Sequence, residues 1–198
     1  MKKGKLIGGI IVLAVIAFFA YYYFSGKEIP IIPVSFDDGL KELRKIDIRY
    51  GVEGTIIAPI SESDNEKYLQ EVSSYKQELQ LKQATDDVKA LILLAEAKEY
   101  AARMQQNMLG ARKIIESITT PAETDCGAGG NMGKTYQYFT EAGDNASMLA
   151  QKITEFEERY PSKTEKVKEF AESALLTGEA MSIKAEQLQE TIKEYCPT

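Results

Sequence analysis

Cys126 and Cys196 are the side chains in this sequence best suited to covalent chemistry, and they stand 70 residues apart. Outside the cytoplasm an even cysteine count reads as a disulfide, so the two are expected to be bridged. The rest of the chemical repertoire is narrow, because the 198 residues include no histidine. That absence removes Ser-His-Asp and Cys-His nucleophilic sites, Cys/His zinc sites and Glu-x-x-His di-metal bundles. An all-carboxylate calcium site stays open chemically, but no EF-hand spacing occurs. The paired Asp37 and Asp38 read as a helix cap, and the carboxylates within residues 155–158 as a solvated face. No catalytic residue, cofactor or metal is expected.

Three short patterns invite more specific readings. Residues 128–135, AGGNMGKT, match a relaxed phosphate loop in which Lys134 would reach the outer phosphates and Thr135 would hold magnesium. Such a loop follows a buried strand, whereas residues 119–126 are polar and contain Pro121. The glycines are better explained as a crossover into a helix, leaving Lys134 as a contact for an anionic group at that helix start. Ser73 and Lys76 have the Ser-x-x-Lys spacing seen in penicillin-recognising enzymes, without the companion SDN and KTG motifs. Asn145-Ala146-Ser147 is an N-glycosylation acceptor pattern. Tyr100, Met104 and Met108, at helical spacing, read as core filling.

What would position these residues begins with residues 6–24, from Leu6 to Phe24, which hold nineteen residues without a charge. As a helix they would reach about 28 Å, close to a bilayer's hydrocarbon thickness. Three lysines among residues 1–5 favour a cytoplasmic N-terminus, and aromatic residues crowd the far end at the expected interface. The stretch is longer than a signal-peptide core, and Phe18 and Phe24 stand where a cleavage site needs small residues. An uncleaved single-pass anchor in membrane lipid is therefore expected, with the C-terminal part extracytoplasmic. Lys-Lys-Gly-Lys before the apolar run resembles the start of a type IV prepilin, which implies processing after Gly4. The glutamate usual five residues into the mature chain is replaced here by Gly9.

Four lysines and no acids fall in residues 1–27, leaving 20 basic and 30 acidic residues beyond, a net charge of −10. That balance argues against nucleic acid and against an anionic membrane surface as partners. Residues 25–60 read as a linker that carries one short amphipathic helix, with Leu40, Leu43, Ile46 or Asp47, and Tyr50 on its stripe. Residues 61–198 read as a helical bundle. Within it, residues 62–118 have no proline and one glycine, and carry two apolar stripes shifted by part of a turn. One long helix is preferred there over a hairpin at residues 84–86. Further helices are expected over residues 134–160 and 163–195, antiparallel across Pro161, the second opened by a capping box at Ser162–Glu165. Gly178 is a mild interruption of the last helix, about 1 kcal/mol relative to alanine. The antiparallel pair independently brings Cys126 beside Cys196.

The expected architecture is all-α: a transmembrane helix followed by an antiparallel three-helix bundle, with residues 62–84 as a stalk or fourth helix. The expected function is a membrane-anchored interaction or scaffold module with a protein partner and no catalysis. A ligand-binding or sensory bundle, with a cavity near Met104, Met108 and Phe170, is the alternative, and a pilin-like subunit a third reading.

Overall fold

The computed structural model describes residues 33–118, 125–127 and 129–196. The expected anchor at residues 6–24 and the processing position Gly4 lie outside the described residues. No helix among the described residues is long and apolar enough to cross a membrane. The chain divides after Pro33, and Val34–Thr198 forms a unit of its own.

Among the described residues this unit is all-helical, built on five long helices: α1 Phe36–Arg49, α2 Glu62–Gln80, α3 Asp86–Ser117, α4 Asn131–Arg159 and α5 Lys168–Tyr195. At about 1.5 Å per residue, the 32-residue α3 runs about 48 Å and is the axis of the bundle. It packs against α2 on one side and α4 on another, and α4 in turn packs against α5. α1 lies across α2 and α3. The core is a column in three parts. Leu43, Tyr68, Val72, Leu91 and Phe156 fill the end where the chain enters. Met104, Leu149, Ile153 and Ala171 fill the middle, and Ala111, Phe139 and Ile192 the far end.

Two expectations change here. Residues 62–118 form two antiparallel helices, not one, with the break at residues 81–85. Ser61 caps α2 through the Asp64 N–H, and Thr85 caps α3 through the Val88 N–H, with Asp86 and Asp87 following in the first turn of α3. Folding back lets the two shifted stripes bury each other: Tyr68, Val72 and Leu79 meet Val88, Leu91 and Ala95. Residues 34–60 of the expected linker also belong to the packed unit. The linker's helix buries Phe36, Leu40, Leu43 and Ile46, because an amphipathic stripe of that width is a core face.

Smaller differences concern helix starts. α4 begins at Asn131 behind Gly130. After Pro161, one helical turn, Pro161–Thr164, and a 3-10 turn, Glu165–Val167, precede α5, and no side chain caps the first of them. Ser162 therefore lies inside a turn and does not cap a helix. Gly178 is where α5 crosses α4 closely: a Cβ there would lie 3.2 Å from the Ala146 carbonyl oxygen. What looks like an interruption in the sequence is a contact point.

Gly39 is a closer approach still. A Cβ on it would fall 2.1 Å from Leu91 Cδ1, and Tyr75 donates its hydroxyl to the Gly39 carbonyl at 2.9 Å. Gly39→Val is expected to lower the unfolding free energy by about 2–3 kcal/mol through overpacking, read from urea midpoints.

Asp87 binds three segments together at the chain-entry end. It accepts from the Phe36 N–H at 2.9 Å and from Lys163 Nζ at 3.0 Å. The Lys163 bond first, then the Phe36 N–H, hold its carboxyl below the ordinary value. A carboxyl depressed in the folded state adds stability that is full above its unfolded pKa and lost as pH falls through the folded one. The urea-midpoint difference between the parent and Asp87→Asn should thus be largest near neutrality and narrow below about pH 4.

Candidate functional site

The buried stripe of α1 ends on a carboxylate, Asp47. Tyr68 from α2 donates its hydroxyl to Oδ1 at 2.9 Å, and Lys98 from α3 donates Nζ to Oδ2 at 2.9 Å. Lys98 is 3 % exposed and sits among the core residues Leu94, Ala97, Ala101 and Ala102. Its ammonium also lies 3.8 Å from the centroid of the Phe170 ring. A charge this deep is tolerated because a carboxylate and an aromatic face replace water around it. Burial lowers the Lys98 pKa; Asp47 opposes that shift and the nearby Arg44 charge adds to it. Burial first, then the Asp47 charge, pushes the Tyr68 hydroxyl well above its ordinary value, which keeps it a donor.

The end of α1 folds back over this group. Gly51 takes φ +68°, its N–H reaches the Ile48 carbonyl at 3.3 Å, and the Val52 N–H reaches that of Asp47 at 2.9 Å. This pairing satisfies the last carbonyls of the helix and needs a residue without a Cβ at Gly51. The returning segment and the start of α5 then wall a cleft of about 370 Å³ with Asp47 and Lys98 among its lining. Arg44 stands on the α1 wall and donates Nη2 to the Lys166 carbonyl at 2.7 Å, tying α1 to the turn before α5. Lys166 itself pairs with Asp37 at 2.5 Å. Glu53, Glu165 and Glu169, all exposed, border the cleft and form no ion pair among the described residues. Ile48, 71 % exposed, and Ile56 mark its mouth.

A second buried carboxylate, Glu99, accepts from Ser73 Oγ at 2.5 Å and Lys76 Nζ at 2.6 Å. Both members of the Ser-x-x-Lys pattern are thus spent on one acceptor. The hydroxyl and the ammonium are not aimed at each other as nucleophile and base.

The remaining sequence candidates fall elsewhere. Cys126 and Cys196 form the expected disulfide, Cα to Cα 5.4 Å, at the far end of the bundle. Around it, the loop leading into α4 spends its N–H groups internally. Gly127 N–H binds the Asp125 carboxylate at 2.9 Å, Gly130 N–H the Gly127 carbonyl at 2.8 Å, and Met132 N–H the Asp125 carbonyl at 3.1 Å. Asp125 therefore occupies the ground a phosphate would need, and the element described before this loop is the helix α3, not a strand. Lys134 is exposed in the first turn of α4, and Thr135 is buried with its hydroxyl on the Asn131 carbonyl at 2.8 Å. Asn145 is half-buried within α4, its Nδ2 donating to the Glu141 carbonyl at 2.6 Å, not in the surface loop its acceptor pattern suggests. Met104 is 1 % exposed and packed in the middle of the core.

Sequence reasoning placed Asp47 on a stripe but missed Lys98 and Glu99. Both recur at helical spacing on buried faces of α3, Lys98 after Leu94 and Glu99 after Ala95. A charge on an otherwise apolar stripe was the available signal. Compared with known protein families, curated proteins and solved structures, the chain matches none.

Proposed function

We propose that the protein is a single-pass membrane-anchored module, N-terminus in the cytoplasm, whose helical bundle acts outside the cytoplasm by recognition and not by catalysis. The observation that carries this reading is the Cys126–Cys196 disulfide, because such bridges persist in oxidising compartments. The uncharged run at residues 6–24 and the acidic remainder support it. So does the mutual satisfaction of the buried charges Asp47, Lys98 and Glu99, which leaves no free nucleophile–base pair in the core among the described residues. Protease added to sealed right-side-out membrane vesicles should digest the bundle, and labelling of both cysteines should require reductant. A protected bundle, or full labelling without reductant, overturns the reading.

An interaction or scaffold role for a protein partner is the first form of this proposal. The cleft beside Lys98 favours a second form, an extracytoplasmic ligand-binding bundle, since its volume falls in the range of small-molecule sites.

A further inference from the structure

We infer that the cleft between α1 and the start of α5 binds a small uncharged molecule with an apolar body and a head group that both accepts and donates, a primary carboxamide. This rests on the ligand-binding form of the proposal above.

The charges that line the cleft cancel. Eight of its lining side chains are charged, four of each sign, and only two of the eight, Lys98 and Asp47, are buried. Those two pair with each other at 2.9 Å, so the buried lining is polar but carries no net charge. The other six are exposed, three basic and three acidic, where water and salt screen them. An ion of either sign would leave water for a site with no opposite charge to spare. An uncharged molecule escapes that cost.

The pair keeps hydrogen-bonding capacity. Among the described residues the Lys98 ammonium gives one of its three N–H groups to Asp47 and has the Phe170 ring 3.8 Å away. Each Asp47 oxygen accepts once, from Tyr68 or from Lys98, and has a lone pair left. A donor and an acceptor therefore stand side by side in the lining. A carboxamide matches both, its carbonyl to Lys98 and its NH2 to Asp47. Both bonds would involve a charged protein group in low-dielectric surroundings, which strengthens them. Leu40, Val52, Leu94 and Val167, all buried, offer apolar walls to the body of the molecule, and the exposed Ile48 and Ile56 continue that surface to the mouth.

The test uses the full-length protein in detergent micelles, with isoleucine, leucine and valine methyls labelled for NMR and free probe corrected for partition into empty micelles. The probes share one apolar body: 4-methylpentanamide, 5-methylhexan-2-one, 4-methylpentanoate and 4-methylpentylamine. The amide should shift the methyls of Ile48, Val52, Ile56 and Val167 and leave Ile192, at the far end, unmoved. The ketone has the shape of the amide but no N–H, and should bind about tenfold more weakly, the loss of one hydrogen bond to a carboxylate. The carboxylate and the amine should each bind weaker than the amide by about tenfold or more. Added salt should leave the affinity for the amide unchanged, and so should Lys168→Gln and Glu169→Gln, both at exposed positions of the lining. An ion that binds as tightly as the amide, or a marked salt dependence, would overturn the uncharged assignment and keep a ligand cleft. A ketone equal to the amide would overturn the part given to Asp47 as acceptor. No shift of the cleft methyls with any of the four probes would overturn the assignment and remove the support for the ligand-binding form.

Discussion

Lys98→Met is expected to lower the unfolding free energy by about 3–5 kcal/mol, the cost of leaving a buried carboxylate without its cation. For a unit of this size that corresponds to a fall in melting temperature of about 10 °C. Methionine keeps the stem of the lysine but not its ammonium. Asp47 would then hold its charge with Tyr68 alone, and the Phe170 ring would lose the cation 3.8 Å from its centroid. Removing the whole group together, as Asp47→Leu, Tyr68→Phe and Lys98→Met in one chain, should recover most of the loss. Buried ion pairs exchanged for apolar residues of similar volume are commonly neutral or stabilising. Urea unfolding of the three proteins, parent, single and triple variant, decides the matter. A single-variant cost below about 1 kcal/mol would mean that the Lys98 ammonium reaches solvent, contrary to its burial.

Opening the Cys126–Cys196 bridge is the second large effect. The bond closes a loop of sequence separation 70, for which the chain-entropy relation predicts about 4 kcal/mol. Cys126→Ser with Cys196→Ser, or reductant added to the parent, should lower stability by that order. The loss should be uneven. The far end of the bundle holds three helices and a small core cluster, Ala111, Phe139, Ala185 and Ile192. Hydrogen exchange should therefore quicken first in the last turns of α5 and the first turns of α4, before α2 and the first half of α3 respond. Uniform acceleration along the chain would show that the bridge stabilises the fold as a whole and not its far end.

The parts of the fold legible from sequence were those with one dominant stripe. Phe139, Ala142, Ala146, Leu149, Ile153 and Phe156 fall on a single face, and all are buried in α4. Pro161 and the antiparallel pair it implies were enough to bring the two cysteines together. The segment of residues 62–118 was harder, because nothing in residues 81–85 breaks a helix locally. Thr85 can cap a helix or continue one, and the choice falls to tertiary packing: only a reversal lets Tyr68 and Val72 face Leu91. The shift between its two stripes was the visible trace of that reversal. The cleft was hidden for a related reason. Asp47 and Lys98 are separated by 51 residues, and each alone looks like an imperfection in a stripe. Their pairing follows only once α1 is known to lie across α3, which no local pattern states.

The route of the chain has a mechanical consequence. It enters beside the start of α3, where Asp87 holds the Phe36 N–H, and it leaves by Cys196 at the opposite end. Any tension between what precedes Val34 and something gripping the C-terminal end would run lengthwise along the helices. The sulfur link passes that load from α5 into the root of α4, so the strand of force bypasses the weak last turns. A body built this way yields by sliding its rods past one another, which resists more strongly than peeling one away.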